Sequence, residues 1–179
     1  FYRRGCLNAT EPRRPIKAPT EINYFPIEKF KGLIMDDLNL LPDHNWKDKI
    51  TSSWEIGEKA ALLRLDEFIE SELNGYKEGR NFPNKKNVSR LSPHLHWGEI
   101  SPNTVWYKIK DLSDIGLRHQ QDTDTFLSEM GWREFSNSLL FYFPELPKQN
   151  LQTKFDKFKW DNNKSTLKSW KTGQTGYPI

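Results

Sequence analysis

The sequence predicts an all-α fold on three observations. Apolar residues recur at three- and four-residue spacing in several segments, helix start and stop signals bracket those segments, and no region combines sustained alternation with hairpin chemistry. Before the first helix, Pro12, Pro15, Pro19 and Pro26 lie among charges and predict an extended arm as far as about Pro42, broken by a short turn near Phe30 to Leu33. Ser52 followed by Glu55 is a capping-box pattern, and Ala61, Leu62, Leu65, Phe68, Ile69 and Leu73 then make the stripe of a long amphipathic helix ended by Asn74-Gly75. A second helix opens at Ser101-Pro102, with Ser as N-cap and Pro in the first turn, and buries Val105, Trp106, Ile109 and Leu112. A third spans about Asp124 to Phe143 through Phe126, Leu127, Met130, Leu139 and Leu140 until Pro144 stops it. The fourth begins near Asp161 and closes at Lys171-Thr172-Gly173.

Composition narrows the function classes. The 179 residues carry enough apolar side chains for one core, and the net charge of +3 is too small to identify a partner. Its distribution is uneven. Arg3, Arg4, Arg13, Arg14 and Lys17 face only Glu11, while Lys148, Lys154, Lys157, Lys159, Lys164, Lys168 and Lys171 have few acidic neighbours and the stretch from Glu55 to Glu78 is acidic. That pattern permits an anionic partner, although solvated lysine faces produce it too. The lone Cys6 excludes an internal disulfide framework and fits a reducing cytoplasm. The longest apolar run, Leu139 to Phe143, is far too short for a membrane span. A monomer is expected. The chain starts at Phe1 without Met and stops in a turn-like sequence at Ile179, as expected of an internal fragment.

Two segments carry chemistry. In Glu129-Met-Gly-Trp-Arg-Glu-Phe135, helical spacing projects Glu129, Trp132 and Arg133 together, with Ser136 one turn on. An exposed indole beside a carboxylate and a guanidinium is a stacking platform with polar readers; the same spacing also describes a Glu129–Arg133 surface pair with Trp132 in the core. Between the first two helices, Ser89, Arg90, Ser92 and the backbone amides of a loop supply hydrogen-bond donors for phosphate oxygens. His94 and His96 have no Cys or carboxylate cluster to complete a metal site and are expected to be structural. Trp160 and Trp170, two of seven tryptophans, sit among lysines.

Taken together, Ser89-Arg-Leu-Ser-Pro-His-Leu-His-Trp-Gly-Glu-Ile-Ser-Pro102, Gly131-Trp-Arg-Glu-Phe135, Phe158-Lys-Trp160 and Trp170-Lys-Thr-Gly-Gln-Thr-Gly-Tyr-Pro-Ile179 resemble the flavin-binding helical domain of the DNA photolyase/cryptochrome family, in the same order and at similar intervals. The resemblance implies a connector over residues 1–50 and the N-terminal part of that domain over 51–179, without the family's α/β antenna domain and the second chromophore it can hold. It implies FAD as cofactor and damaged DNA containing pyrimidine dimers as partner. By the same resemblance, Tyr76 and the loop Val88, Ser89, Arg90, Leu91, Ser92 are FAD contacts, with Val88 standing where many relatives have Thr, and Phe126 and Arg133 are flavin neighbours. Arg80 is implied as a DNA-backbone contact, Glu129 and Trp132 as the residues that hydrogen-bond and stack on a flipped dimer, and Arg133 and Ser136 as further DNA contacts. Trp160 is implied as the surface end of a tryptophan chain that photoreduces the flavin. The implied activity is that of a deoxyribodipyrimidine photo-lyase, with a photosensing cryptochrome as the alternative. Plant-type cryptochromes commonly replace the acid and the tryptophan that stand here as Glu129 and Trp132, and this favours repair. The fragment alone is expected to be inactive.

Overall fold

The structure is a computed structural model that describes residues 5, 8–26, 30–40, 44, 46–114 and 120–177. Arg3, Arg4, Cys6, Pro42 and the closing Pro178-Ile179 lie outside them. Every regular element among the described residues is helical, as the spacing predicts. None of these helices is long and apolar enough to cross a membrane. The chain divides into two compact units, Phe1–Glu134 and Phe135–Ile179.

In the first unit the arm has no regular structure over residues 10–26, and a 3₁₀ turn falls at Met35–Leu38 instead of the expected Phe30 to Leu33. The displacement follows from Asp37, whose carboxylate accepts from the Ile34 amide at 3.1 Å and closes the turn there. Helix α1 is the single turn Lys47–Thr51 and α2 is Glu58–Glu67. The expected capping box is therefore absent. Ser52 ends α1, its hydroxyl donating to the Lys49 carbonyl at 3.2 Å, and α2 starts instead from Gly57 at φ +107°, a conformation that favours glycine. Beyond Glu67 the helix widens into a π turn, Phe68–Glu72, closed by a bond from the Leu73 amide to the Phe68 carbonyl.

Helix α3, Tyr76–Gly79, and helix α4, Ser92–Trp97, are short elements in stretches that the spacing left as loops. Helix α4 has Pro in its first turn and stops at Gly98 in the left-handed conformation. Helix α5 runs Pro102–Asp114 and keeps its expected cap, with the Thr104 amide donating to Ser101 Oγ at 3.2 Å. Helix α6, Gln120–Tyr142, ends one residue before Phe143.

One core joins these elements. Ala61, Leu65, Phe68 and Leu73 from α2 and its π turn meet Leu91, Leu95, Ile100, Val105, Ile109, Phe126, Leu127 and Met130. The arm adds a second layer on α5. Tyr107 donates its hydroxyl to the Pro12 carbonyl, Asn103 donates to Arg13 O at 2.5 Å, and the Arg14 guanidinium lies 4.0 Å from the Tyr107 ring centroid. Glu11 pairs with Lys110 and Arg14 with Asp111, so two charges of the arm are met by α5. Lys110 holds the Glu11 carboxyl below the usual carboxylate range, mainly through that hydrogen bond.

The second unit holds the end of α6, a 3₁₀ turn at Thr153–Lys157 and helix α7, Lys164–Lys171. Helix α7 starts from Asn163, whose side-chain Oδ1 accepts from the Ser165 and Thr166 amides, two residues later than the expected start near Asp161. No described residue of this unit is fully buried, and Leu140, expected on an apolar stripe, is exposed.

Candidate functional site

The loop from Asn87 to Ser92 is held by residues far from it in sequence. Arg64, on α2, donates from Nε to the Ser89 carbonyl at 2.8 Å and from a terminal nitrogen to the Val88 carbonyl at 3.3 Å, while ion-pairing with Glu67 and Glu72. Asn87 donates from Nδ2 to the Glu72 and Asn74 carbonyls at 2.8 and 3.0 Å, and packs so closely on Gly79 that a Cβ there would lie 2.1 Å from its side-chain oxygen. Arg90 sits at φ +53°, and Leu91 follows it in the right-handed region. Adjacent residues of opposite hand turn successive N–H groups toward one concave side, the geometry of an anion nest, and here the Leu91 amide donates to Ser89 Oγ at 3.4 Å. The Arg90 guanidinium itself lies over Trp54, 4.6 Å from the ring, with one nitrogen on the Ser53 carbonyl, so the backbone of Arg90 is what serves the concavity.

With the hydroxyls of Ser89 and Ser92 this is a donor set, and no carboxylate stands in residues 87–93. It fits the diphosphate of a dinucleotide cofactor, with Val88 contributing backbone only. A separate cleft of about 220 Å³ between Trp54, Arg64, Glu67, Arg90 and His94 is also lined by Glu55, and its two carboxylates make it a poor seat for phosphate.

Helix α3 brings Tyr76 and Arg80 to α6. The Tyr76 ring is buried against Phe68 and Phe126, at centroid distances of 5.7 and 5.4 Å. Burial pushes its phenol up from the ordinary value, and a hydrogen bond from Arg80 pulls the other way. Arg80 pairs with Glu129 at 2.5 Å, and that hydrogen bond holds the guanidinium charged even more firmly than usual. Glu129 therefore pairs across helices with Arg80, and the expected alternative with Arg133 is not formed. Phe126 is a core residue between Tyr76 and Phe68.

Trp132 is 54% exposed and so lies outside the core of this unit, one helical turn from the half-buried Glu129. Arg133 points differently, donating to Glu134 at 2.5 Å and to the Leu95 carbonyl at 3.4 Å. Arg80, Glu129, Trp132 and Arg133 thus lie in one unit, on α6 and the element packed against it. In the second unit Ser136 is exposed, and Trp160 is 73% exposed with its ring edge-on to Phe158 at 4.8 Å. His94 is buried and bonded through Nδ1 to Glu99 at 2.5 Å, and among the described residues no group of three potential metal ligands occurs.

Sequence reasoning missed Arg64, Asn87 and Asp122. Asp122, near the start of α6, accepts from the amides of Gly75 and Lys77 at 2.9 Å each and so caps α3. Arg64 left a sequence signal only in Glu67 three residues on, the spacing of a local ion pair. The other two act across 13 to 47 residues and leave no local pattern.

A family profile described as the FAD binding domain of DNA photolyase matches residues 126–179. A deoxyribodipyrimidine photo-lyase from Agrobacterium fabrum is 41% identical over 98% of this chain and 36% of its own length. Cryptochrome-2 from Arabidopsis thaliana is 34% identical over 73% of this chain and 22% of its own length. The crystal structure of a bacterial class III photolyase from Agrobacterium tumefaciens superposes with a TM-score of 0.86 at 40% identity, over 98% of this chain and 36% of that one. The chain spans about a third of the length of the curated relatives it matches.

Proposed function

This chain belongs to the DNA photolyase/cryptochrome family, and from that premise we propose that it is part of a light-driven DNA repair enzyme that splits cyclobutane pyrimidine dimers. The observation that carries the reading is the exposed Trp132 one helical turn from Glu129, whose carboxylate pairs with Arg80, so that an aromatic side chain and a charged pair share one stretch of α6. Aromatic faces stack on unpaired bases, and a dimer already weakened in its stacking is cheap to extrude from the duplex.

Within that reading residues 1–50 are the connector and 51–179 the first part of the helical cofactor domain. The loop Val88 to Ser92 holds the FAD diphosphate through hydroxyls and amides, Arg64 and Asn87 keep the loop rigid, and Tyr76 is a further cofactor contact. Arg133 lies toward the flavin and reaches DNA as well. When bound and reduced, the cofactor supplies light-driven electron donation to the dimer. Trp132 orients the extruded bases by stacking, and Glu129 accepts a hydrogen bond from a base edge. Arg80 neutralises a backbone phosphate and Ser136 adds a polar contact. Trp160, on the surface, is the outer end of the route by which oxidised flavin is photoreduced. A second chromophore belongs to an antenna domain of the full-length protein, which acts as a monomer in the cytoplasm.

The test is repair by the full-length, flavin-loaded protein of an oligonucleotide carrying one cyclobutane thymine dimer. Light-dependent loss of the dimer, with none in the dark, is expected. Flavin photochemistry without repair would make the protein a photosensor, the reading that the similarity to a cryptochrome favours.

A further inference from the structure

We propose that Asp122 is a positioning residue that aims Arg80 at DNA, a step that rests on the DNA-contact reading of Arg80 above. Helix α3 is a single turn, and one turn of helix is not stable by itself because nucleation fixes several residues for one hydrogen bond. What holds it is one face of α6. Asp122, Phe126 and Glu129 are spaced i, i+4 and i+7 and so share that face. Asp122 takes the Gly75 and Lys77 amides at the start of α3, Phe126 packs on Tyr76 in its middle, and Glu129 takes Arg80 at its end.

The carboxylate of Asp122 belongs to a residue only 9% exposed and spends both oxygens on these amides. Gly75, at φ +79°, makes the chain reversal that presents its N–H to the carboxylate. Without Asp122 the Gly75 and Lys77 amides lose their acceptor at the start of α3, and the turn that carries Arg80 is tied to α6 only through side chains. Arg80 would then keep its pair with Glu129 from a backbone no longer fixed against α6, and lose the position from which it meets a phosphate.

A double-mutant cycle in the full-length, flavin-loaded protein tests this, with a duplex carrying one thymine dimer as probe. Arg80→Gln is expected to weaken binding about 10-fold, the scale of one charge-assisted contact, and to lower the slope of log affinity against log salt by about one. Asp122→Ala is expected to match it in both readouts, and the double variant to be no weaker than either single one within about 2-fold. Asp122→Asn, which keeps one acceptor, falls between and serves in place of the alanine variant if that one does not fold. Wild-type binding by the Asp122 variants, or losses that multiply in the double variant, would overturn the inference while Arg80 stands as a DNA contact. An Arg80→Gln protein that binds like wild type would overturn the reading of Arg80, and the inference with it.

Discussion

Phe68, Tyr76 and Phe126 in the first unit meet in a sealed cluster with centroids 4.8 to 5.7 Å apart, whereas Phe155, Phe158, Trp160 and Trp170 in the second are each more than half exposed. Both regions are rich in aromatic residues, yet only the first converts them into a core. Its stability comes from burial shared among α2, α5 and α6. The second is shaped by local devices, such as the Asn163 cap and the left-handed Gly173 that follows α7. A region of the first kind can hold side chains in fixed geometry, as catalysis needs.

The largest expected effect separates the two regions directly. Phe68→Ala removes a fully buried ring and is expected to destabilise the chain by about 3–5 kcal/mol, while Trp170→Ala stays within about 0.5 kcal/mol, both read from urea unfolding. Equal losses would erase the distinction. Next is Arg64→Met. It leaves the largely buried Glu72 carboxylate and two loop carbonyls without their partner, for a cost of about 2–4 kcal/mol, and the full-length variant is expected to copurify with less flavin than wild type. A destabilised variant with full flavin content would separate loop anchoring from cofactor binding.

Tyr76 offers a smaller effect that appears only at high pH. Because the folded state binds the phenolic proton more tightly than the unfolded chain, its contribution is intact below about pH 10 and is lost as pH rises through the folded value. Tyr76→Phe is therefore expected to flatten the alkaline limb of stability measured by thermal melting at stepped pH. An unchanged limb would mean that burial of this phenol has no weight in the core. The smallest effect on stability is that of Trp160→Phe, expected within about 0.5 kcal/mol because the ring is mostly in solvent. In the full-length protein the same variant is expected to lose photoreduction of oxidised flavin, followed by absorbance under illumination, while chemically reduced protein still repairs. Loss of both activities would make Trp160 a packing residue.

The same contrast decides what could be read from sequence. Stripes such as Val105 and Ile109, both completely buried, announce a helix and its face because burial enforces the period. Short elements escape that logic. Ser92-Pro93 lies at a helix start as Ser101-Pro102 does, but there Ser92 is inside the helix after an N-cap at Leu91, and α4 is only six residues and shows no repeat. Ser52 and Glu55 satisfy a capping pattern and still do not cap, since α1 claims Ser52 and Gly57 starts α2. In the site, Trp132 and Glu129 stand out by type and spacing. The pairing of Glu129 with Arg80, the hold of Asp122 on α3 and the grip of Arg64 on the loop depend on tertiary approach, which no local window contains. Tyr107 is buried for a similar reason, since the arm covers it.

The central claim is that the exposed face of α6 reads damaged DNA, and the affinity of Trp132→Ala for dimer-containing and undamaged duplex in the full-length protein tests it most directly. Removing a stacking surface worth about 1–3 kcal/mol per base is expected to weaken binding to the dimer roughly 5- to 150-fold and to leave undamaged duplex almost unchanged. Discrimination, not general affinity, is what the account predicts will be lost. A wild-type protein with no preference for the dimer, or a Trp132→Ala variant that keeps the preference in full, would contradict it.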